Sequence, residues 1–330
     1  MKMKSILSVF VVFAAAMTAS AVTFEFKPQA TATSYNWNTP SYWYGGSTPR
    51  NSLPTKDDET WMTDGKLRNV PLYIDSYTAA TTGIFRVANS SSYANPMILT
   101  IDGGSLTTYG VAYIGQKSPG VLIVQNGGTF EAKDNTYIGL NNNSSNSSQQ
   151  HVFNAKLIIA DSDSGFTAAS NVYMGHQKGG TSLLDNKGTV SITRQLQLGV
   201  WTNVVEHGGL VAVITNSGTL SVTGNTLIGY RTNSVGRVEN TGNLTLGDQC
   251  LIARYDYSEG YLRHSAGNLS IDGPVYVGYR GKGCLELAGD TETVFPGSAF
   301  MLAANDMVNN TIHSIGELVI TNNASLSREG

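Results

Sequence analysis

The chain reads as an all-β protein, a single-stranded parallel β-helix (β-solenoid) of about nine coils of ~24–25 residues, with an irregular N-terminal cap. The first observation is a repeat. Eight times an apolar residue is followed nine positions later by a small one: Leu106 to Gly115, Phe130 to Gly139, Phe166 to Gly175, Val190 to Gly199, Leu220 to Gly229, Leu244 to Ala253, Leu269 to Gly278 and Val294 to Ala303. Successive small anchors lie 24, 36, 24, 30, 24, 25 and 25 residues apart. The second observation is that each copy holds three short runs, such as Leu122-Ile123-Val124, Thr129-Phe130-Glu131-Ala132 and Tyr137-Ile138-Gly139, separated by Gly, Asn and Asp. Runs this short suit strands joined by tight turns, not helices. The third is alternation. The position after each apolar anchor holds Thr107, Glu131, Thr167, Ser191, Ser221, Thr245, Ser270 or Phe295, seven of the eight polar, so the strand has an inner and an outer face.

In chain order, residues 1–21 read as a secretory signal peptide. Lys2 and Lys4 precede an apolar stretch from Ile6 to Ala16, and Ala19-Ser20-Ala21 supplies a small-residue cleavage site. That stretch is shorter than the ~20 residues a membrane helix needs, and no other segment approaches this length. The reading is of an exported protein, secreted or held at the cell surface, with no transmembrane segment in this chain.

Residues 22–95 carry three of the four tryptophans, Trp37, Trp43 and Trp61, together with Tyr35, Tyr42, Tyr44 and Tyr73. The period is faint here, and a solenoid needs its first rung covered. The segment reads as a cap with an irregular leading coil over Leu72–Ile74 and Ile84–Val87. A small sugar-binding module is the alternative.

Residues 96–330 hold the coils. The residue before each small anchor is always Ile, Met, Leu or Val and must point inward, while Tyr113, Tyr137, Tyr173 and Tyr276 must point out. Glycine at the anchor is expected where the chain turns a corner with positive φ or little clearance. The coils depart from the 18-residue length of strict hexapeptide helices, so a right-handed helix is preferred. The last coil is incomplete at Ser325–Gly330, which points to a missing C-terminal continuation or a C-terminal partner.

The segment Asn36-Trp37-Asn38, then Tyr42-Trp43-Tyr44-Gly45-Gly46 with Pro49, Pro54 and Asp57-Asp58, and the repeated GGSL…YIG and SGTLSV…LIG units resemble secreted bacterial repeat proteins with autotransporter-type β-helix passengers. The resemblance covers nearly all of the mature chain and implies an extracellular or surface solenoid serving in adhesion or surface structure.

Net charge is −3 and charged residues make up 14% of the chain, so no electrostatic footprint for nucleic acid is present. Cys250 sits in an inner phase and Cys284 in an outer one, which disfavours a disulfide between them. Asp57, Asp58, Asp102, Asp161, Asp163 and Asp272 fall in turns or on distant coils, and Asp is a common turn former. The five histidines, His151, His176, His207, His264 and His313, lie mostly in loops without zinc-ligand spacing. No catalytic constellation, metal set or cofactor motif emerges.

Length variation concentrates after the small anchors: Leu140 to Ala155, Val200 to Leu210 and Ala304 to Gly316 are insertions at one corner, and insertions confined to one side of a solenoid often mark its binding side. That corner also carries Trp201, Tyr230, Arg231, Arg254, Tyr255, Tyr279 and Arg280. Stacking is expected to place Tyr230, Arg254 and Tyr279 in one ladder with Arg231, Tyr255 and Arg280 beside it, as a glycan-binding ladder or as a solvated ladder that steadies the stack. The functional expectation is a non-enzymatic structural or adhesin-like solenoid whose partner is an extracellular polysaccharide or surface glycan. The alternative is a carbohydrate-active β-helix enzyme, a polysaccharide lyase or glycoside hydrolase, which would converge carboxylates on neighbouring rungs.

Overall fold

In the computed structural model the described residues are 21–27, 34–62, 71–89, 96–140, 154–175, 181–200, 210–296, 299–303 and 314–329. The signal-peptide expectation for residues 1–21 therefore lies, apart from Ala21, outside them. So do the inserted stretches 141–153, 201–209 and 304–313, Trp201, and all histidines except His264.

The chain winds into a parallel β-solenoid with three strands per coil. First strands stack into an 11-stranded sheet, second strands into a 10-stranded sheet and third strands into a 13-stranded sheet. A representative coil runs Gly120–Gln125, Thr129–Ala132 and Thr136–Ile138. Its three strands pair in register with Asn154–Ile159, Gly165–Ala168 and Val172–Met174 of the next coil. Alternation sets the register, because a slip of one residue would turn every inner side chain outward. Leu106, Phe130, Phe166, Val190, Leu220, Leu244 and Leu269 form one buried column, and their polar successors face out.

One expectation about this column needs correction. Leu269 pairs with Thr293, not Val294. The interval to Ala303 is then ten residues, and Thr293 takes the fully buried place. An extra residue between the second and third strands absorbs the difference. The leading coil is more regular than expected: Leu72–Asp75, Ala79–Thr82 and Ile84–Val87 pair in register with the coil that follows, giving nine three-stranded coils and a partial tenth among the described residues, in keeping with the expected count.

The anchors explain why small residues recur. Gly115, Gly139, Gly175, Gly199, Gly229 and Gly278 all have φ between 65° and 80°, and Ala88, Ala253 and Ala303 take the same left-handed place at 62°, 59° and 50°. A side chain at Gly229 would also stand 2.2 Å from the Glu259 carbonyl. The chain turns this corner against the start of a first strand two coils on, so conformation and clearance both select a small residue. The residue before the anchor is fully buried at Ile114, Ile138, Met174, Leu198, Ile228, Ile252 and Val277. Leu302 departs from this, being 45% exposed, because no further third strand among the described residues lies over it.

The N-terminal segment closes the other end. Thr23–Phe26 and Glu59–Met62 add parallel rungs to the third sheet, and the sheet then ends on antiparallel Trp43–Gly45 and Thr48–Pro49. Reversing strand direction terminates the parallel stack. Trp37 and Trp43 are buried with ring centroids 4.6 Å apart, and the Trp43 indole N–H donates to the Trp37 carbonyl at 2.9 Å. These indoles are core, and their faces are not offered to a sugar.

One inner column changes character along the rod. Ile74, Ile101, Val124 and Ile159 are followed at the same register position by Asn186, Asn216, Asn240 and His264, then by Leu287. All nine are buried. Asn186 Nδ2 donates to Asn216 Oδ1 at 2.6 Å, Asn216 Nδ2 to Asn240 Oδ1 at 2.5 Å, and Asn240 Nδ2 to His264 Nδ1 at 2.6 Å. Stacked amides satisfy one another, as buried polar groups must. Where the histidines were expected mostly in loops, His264 is the last residue of a strand and fully buried.

Candidate functional site

The corner after the anchors brings four of its seven expected residues together. Tyr230 and Tyr255 meet edge to face with centroids 5.6 Å apart. The Arg231 guanidinium lies 4.8 Å from the Tyr230 ring and 5.3 Å from Tyr255, and Arg254 lies 5.2 and 5.4 Å from the same two rings. The other described members go elsewhere, which corrects the ladder expected from sequence. Tyr279 packs edge-on against Tyr276 at 5.6 Å, and Arg280 is held by Asp256 at 2.8 Å. The anchors place these residues at equivalent positions, but the Asp256 carboxylate gives Arg280 a charge-assisted partner that an aromatic ring cannot match. Trp201 lies outside the described residues.

A second ladder runs on the outer face of the third sheet. Trp61, Arg86, Tyr113, Tyr137 and Tyr173 occupy one register row. Tyr113 stacks on Tyr137 at 5.3 Å and Tyr137 on Tyr173 at 4.9 Å. Arg86 lies 4.6 Å from the Tyr113 ring while pairing with Glu59 at 2.6 Å and Gln116 at 2.9 Å. The spacing is that of the strands, so each ring covers the face of the next. In both clusters the aromatic faces that would carry a sugar ring are already in contact with protein.

The outer face of the first sheet is built differently. On coils three to six its outward rows include the aliphatic Val121, Ile123, Ile158, Leu183 and Val213, buried or half-buried, among polar neighbours; on the next three coils they become charged. There a groove of about 310 Å³ is lined by Arg237, Glu239, Glu259, Tyr261, Lys282 and Cys284, over a floor of Val235, Gly236 and Gly260. Successive strands supply the rows. Arg237, Tyr261 and Cys284 are register partners, as are Glu239, Arg263 and Glu286. The corners preceding these strands are short, from Gly229 to Ser234, Ala253 to Glu259 and Gly278 to Lys282, so the groove lies between the inserted stretches.

Within the groove the groups divide into occupied and unoccupied. The Tyr261 hydroxyl donates to Glu286 Oε2, and Arg263 pairs with Glu286 Oε1 at 3.1 Å. Burial and this bond to a carboxylate raise the Tyr261 pKa far above the phenol range. Burial also raises the Glu239 carboxyl, against the opposing pull of Arg263 and with a further push from Glu286. Among the described residues Arg237, Glu239, Glu259 and Lys282 make no side-chain hydrogen bond or ion pair. No protein-family model, curated protein or solved structure matches the chain.

The carboxylates do not frame an open slot. Arg263 stands in the row between Glu239 and Glu286, which are two rungs, ~9.6 Å, apart. Glu259 is displaced from the Glu239 position by four residues and one rung, or ~14 Å. Several other carboxylates serve turns: Asp58 accepts the Thr55 N–H at 2.9 Å, Asp161 the Ser164 hydroxyl at 2.8 Å and the Asn126 N–H at 2.6 Å, and Asp272 the Ser270 hydroxyl at 2.9 Å. Cys250 and Cys284 are both free thiols, one in the core and one on the outer face, as their phases predict. Sequence reasoning missed the groove because its residues come from three coils, and their alignment into rows requires the register of the first sheet.

Proposed function

We propose that the chain is a non-enzymatic, secreted or cell-surface solenoid of structural, adhesin-like type. One observation carries this reading: two clusters of aromatic and basic side chains on the outer surface are engaged with one another along the stack, Tyr113–Tyr137–Tyr173 with Arg86 and the Tyr230–Tyr255 pair with its two arginines. Such contacts add to the hydrogen bonds between coils and support a rod. Export is supported by the charge and apolar pattern of residues 1–21. The placement of Arg263 between Glu239 and Glu286 weighs against a glycosidase pair, which needs the sugar between its carboxyls.

The test has two arms. Purified protein incubated with neutral and uronate polysaccharides is expected to release neither reducing ends nor unsaturated products; release of either overturns the non-enzymatic reading. Expression with and without residues 1–21 is expected to move the protein from the outside of the cell to the inside, and equal distribution would remove the export reading.

A further inference from the structure

The groove on the outer face of the first sheet is a concave place where side chains of both charges make no hydrogen bond or ion pair among the described residues, Glu239 feeling only the longer-range pull of Arg263 and Arg237. Arg237, Glu259 and Lys282 are exposed and Glu239 is half-buried, yet all four line the same 310 Å³ space. That volume lies at the small end of the range of ligand sites, about 300–1,000 Å³. Beside them the Tyr261 ring is fixed at its hydroxyl by Glu286, which is itself held by Arg263. No other aromatic ring or cation covers it among the described residues. It contrasts in this with the tyrosines of the corner and of the third sheet.

We propose that this groove binds a short stretch of neutral saccharide, with the Tyr261 ring against a pyranose face and Arg237, Glu239, Glu259 and Lys282 bonded to its hydroxyls. The balance of charge selects neutrality. Arg237, Arg263 and Lys282 stand against Glu239, Glu259 and Glu286, so a polyanion meets as many carboxylates as cations. Hydroxyl groups donate to carboxylates and accept from guanidinium and ammonium without bringing charge of their own. Tyrosine supplies a flat apolar surface at little cost in side-chain freedom. The Glu286 contact fixes that surface before the ligand arrives, which lowers the entropy lost on binding. The short corners at Gly229, Ala253 and Gly278 leave these rungs without inserted residues of their own.

Titration calorimetry of the full chain with hexasaccharides of β-1,4-glucose, β-1,4-mannose and α-1,4-glucose, and with a galacturonate hexamer, tests this. At least one neutral hexasaccharide is expected to bind, the galacturonate weakly or not at all. Tyr261→Ala is expected to weaken binding by roughly tenfold. Arg237→Ala with Lys282→Ala, both at exposed positions that leave the core intact, serves as the second variant and is expected to weaken binding with an unchanged melting temperature. Absence of binding by every neutral probe, preference for the galacturonate, equal binding of an uncharged serine-glycine peptide, or binding untouched by the second variant would each overturn the proposal. The inference is separable from the non-enzymatic reading: turnover of a bound hexasaccharide overturns that reading and leaves the binding site standing.

Discussion

A single inner column of the solenoid is solved in two ways. From Ile74 to Ile159 it is aliphatic, and from Asn186 to His264 it is a chain of side-chain hydrogen bonds, with both stretches fully shielded from water. The backbone register does not change at the junction, where Ile159 pairs directly with Asn186. The aliphatic stretch is non-directional and tolerates exchange of one branched residue for another. The polar stretch is directional, since each amide must both give and receive, and removing one member strands its neighbours. Shape at this position is therefore fixed by the coil, while the kind of stabilisation is left to local composition.

Charge in the aliphatic stretch gives the largest expected effect. Ile159→Asp, like Ile138→Asp or Ile228→Asp on the third sheet, buries an unpaired carboxylate and is expected to unfold several coils together; native circular dichroism in these variants would contradict the inward assignment. Next comes Asn216→Leu, which leaves one Asn186 amide hydrogen and the Asn240 side-chain carbonyl without their partners, for a loss of about 2–4 kcal/mol in chemical denaturation. A loss no larger than that of an exposed substitution would show that the ladder contributes little. The boundary itself offers a sharper comparison. Ile159→Asn gains the Asn186 carboxamide as a neighbour and is expected to cost less than Val124→Asn, which has Ile101 and Ile159 on either side. Equal costs would mean that the two stretches do not differ in what they accept.

The effect of pH follows from the last rung. The Asn240 amide donates to His264 Nδ1, so the neutral ring carries its proton on Nε2, and a second proton would set two donors face to face. Burial lowers the His264 pKa below its ordinary value, against an opposing pull from the Gly267 backbone. The unfolded chain thus takes up the proton first as pH falls. The stability due to the neutral ring is fully present above ~6.5 and is lost as pH drops from there through the lower folded pKa. His264→Asn, which continues the amide ladder, is expected to flatten this part of the pH–stability curve; an unchanged curve would assign the dependence to other groups. The smallest effect is expected outside the core, where Tyr137→Ala removes two ring contacts and costs about 1–2 kcal/mol by thermal unfolding.

The aliphatic column and the anchors were legible because hydrophobic alternation and glycine at a left-handed corner leave marks in composition. The polar column was not. Asparagine reads as a turn former, and Asn186, Asn216 and Asn240 do stand at turns; their interior role shows only in the recurrence of Asn-Lys-Gly, Asn-Ser-Gly and Asn-Thr-Gly at one phase of three consecutive coils. Thr293 in place of the expected Val294 was not legible, because a ten-residue interval next to an alternating run offers two registers, and only pairing decides between them. Four of the corner residues were brought together as expected. Arg280 was not, because its partner Asp256 comes from the turn of the preceding coil.

The shared register has a further consequence. Asn216 and Asn240 occupy the same place in successive coils, so the block Ser217–Asn240 begins and ends at equivalent points with parallel chain direction. Copying or deleting such a block leaves every remaining junction with a partner of the kind it already had. The span of the rod is thereby set by a count of interchangeable units, and it can be lengthened or shortened without redesigning the aromatic lid at its N-terminal end.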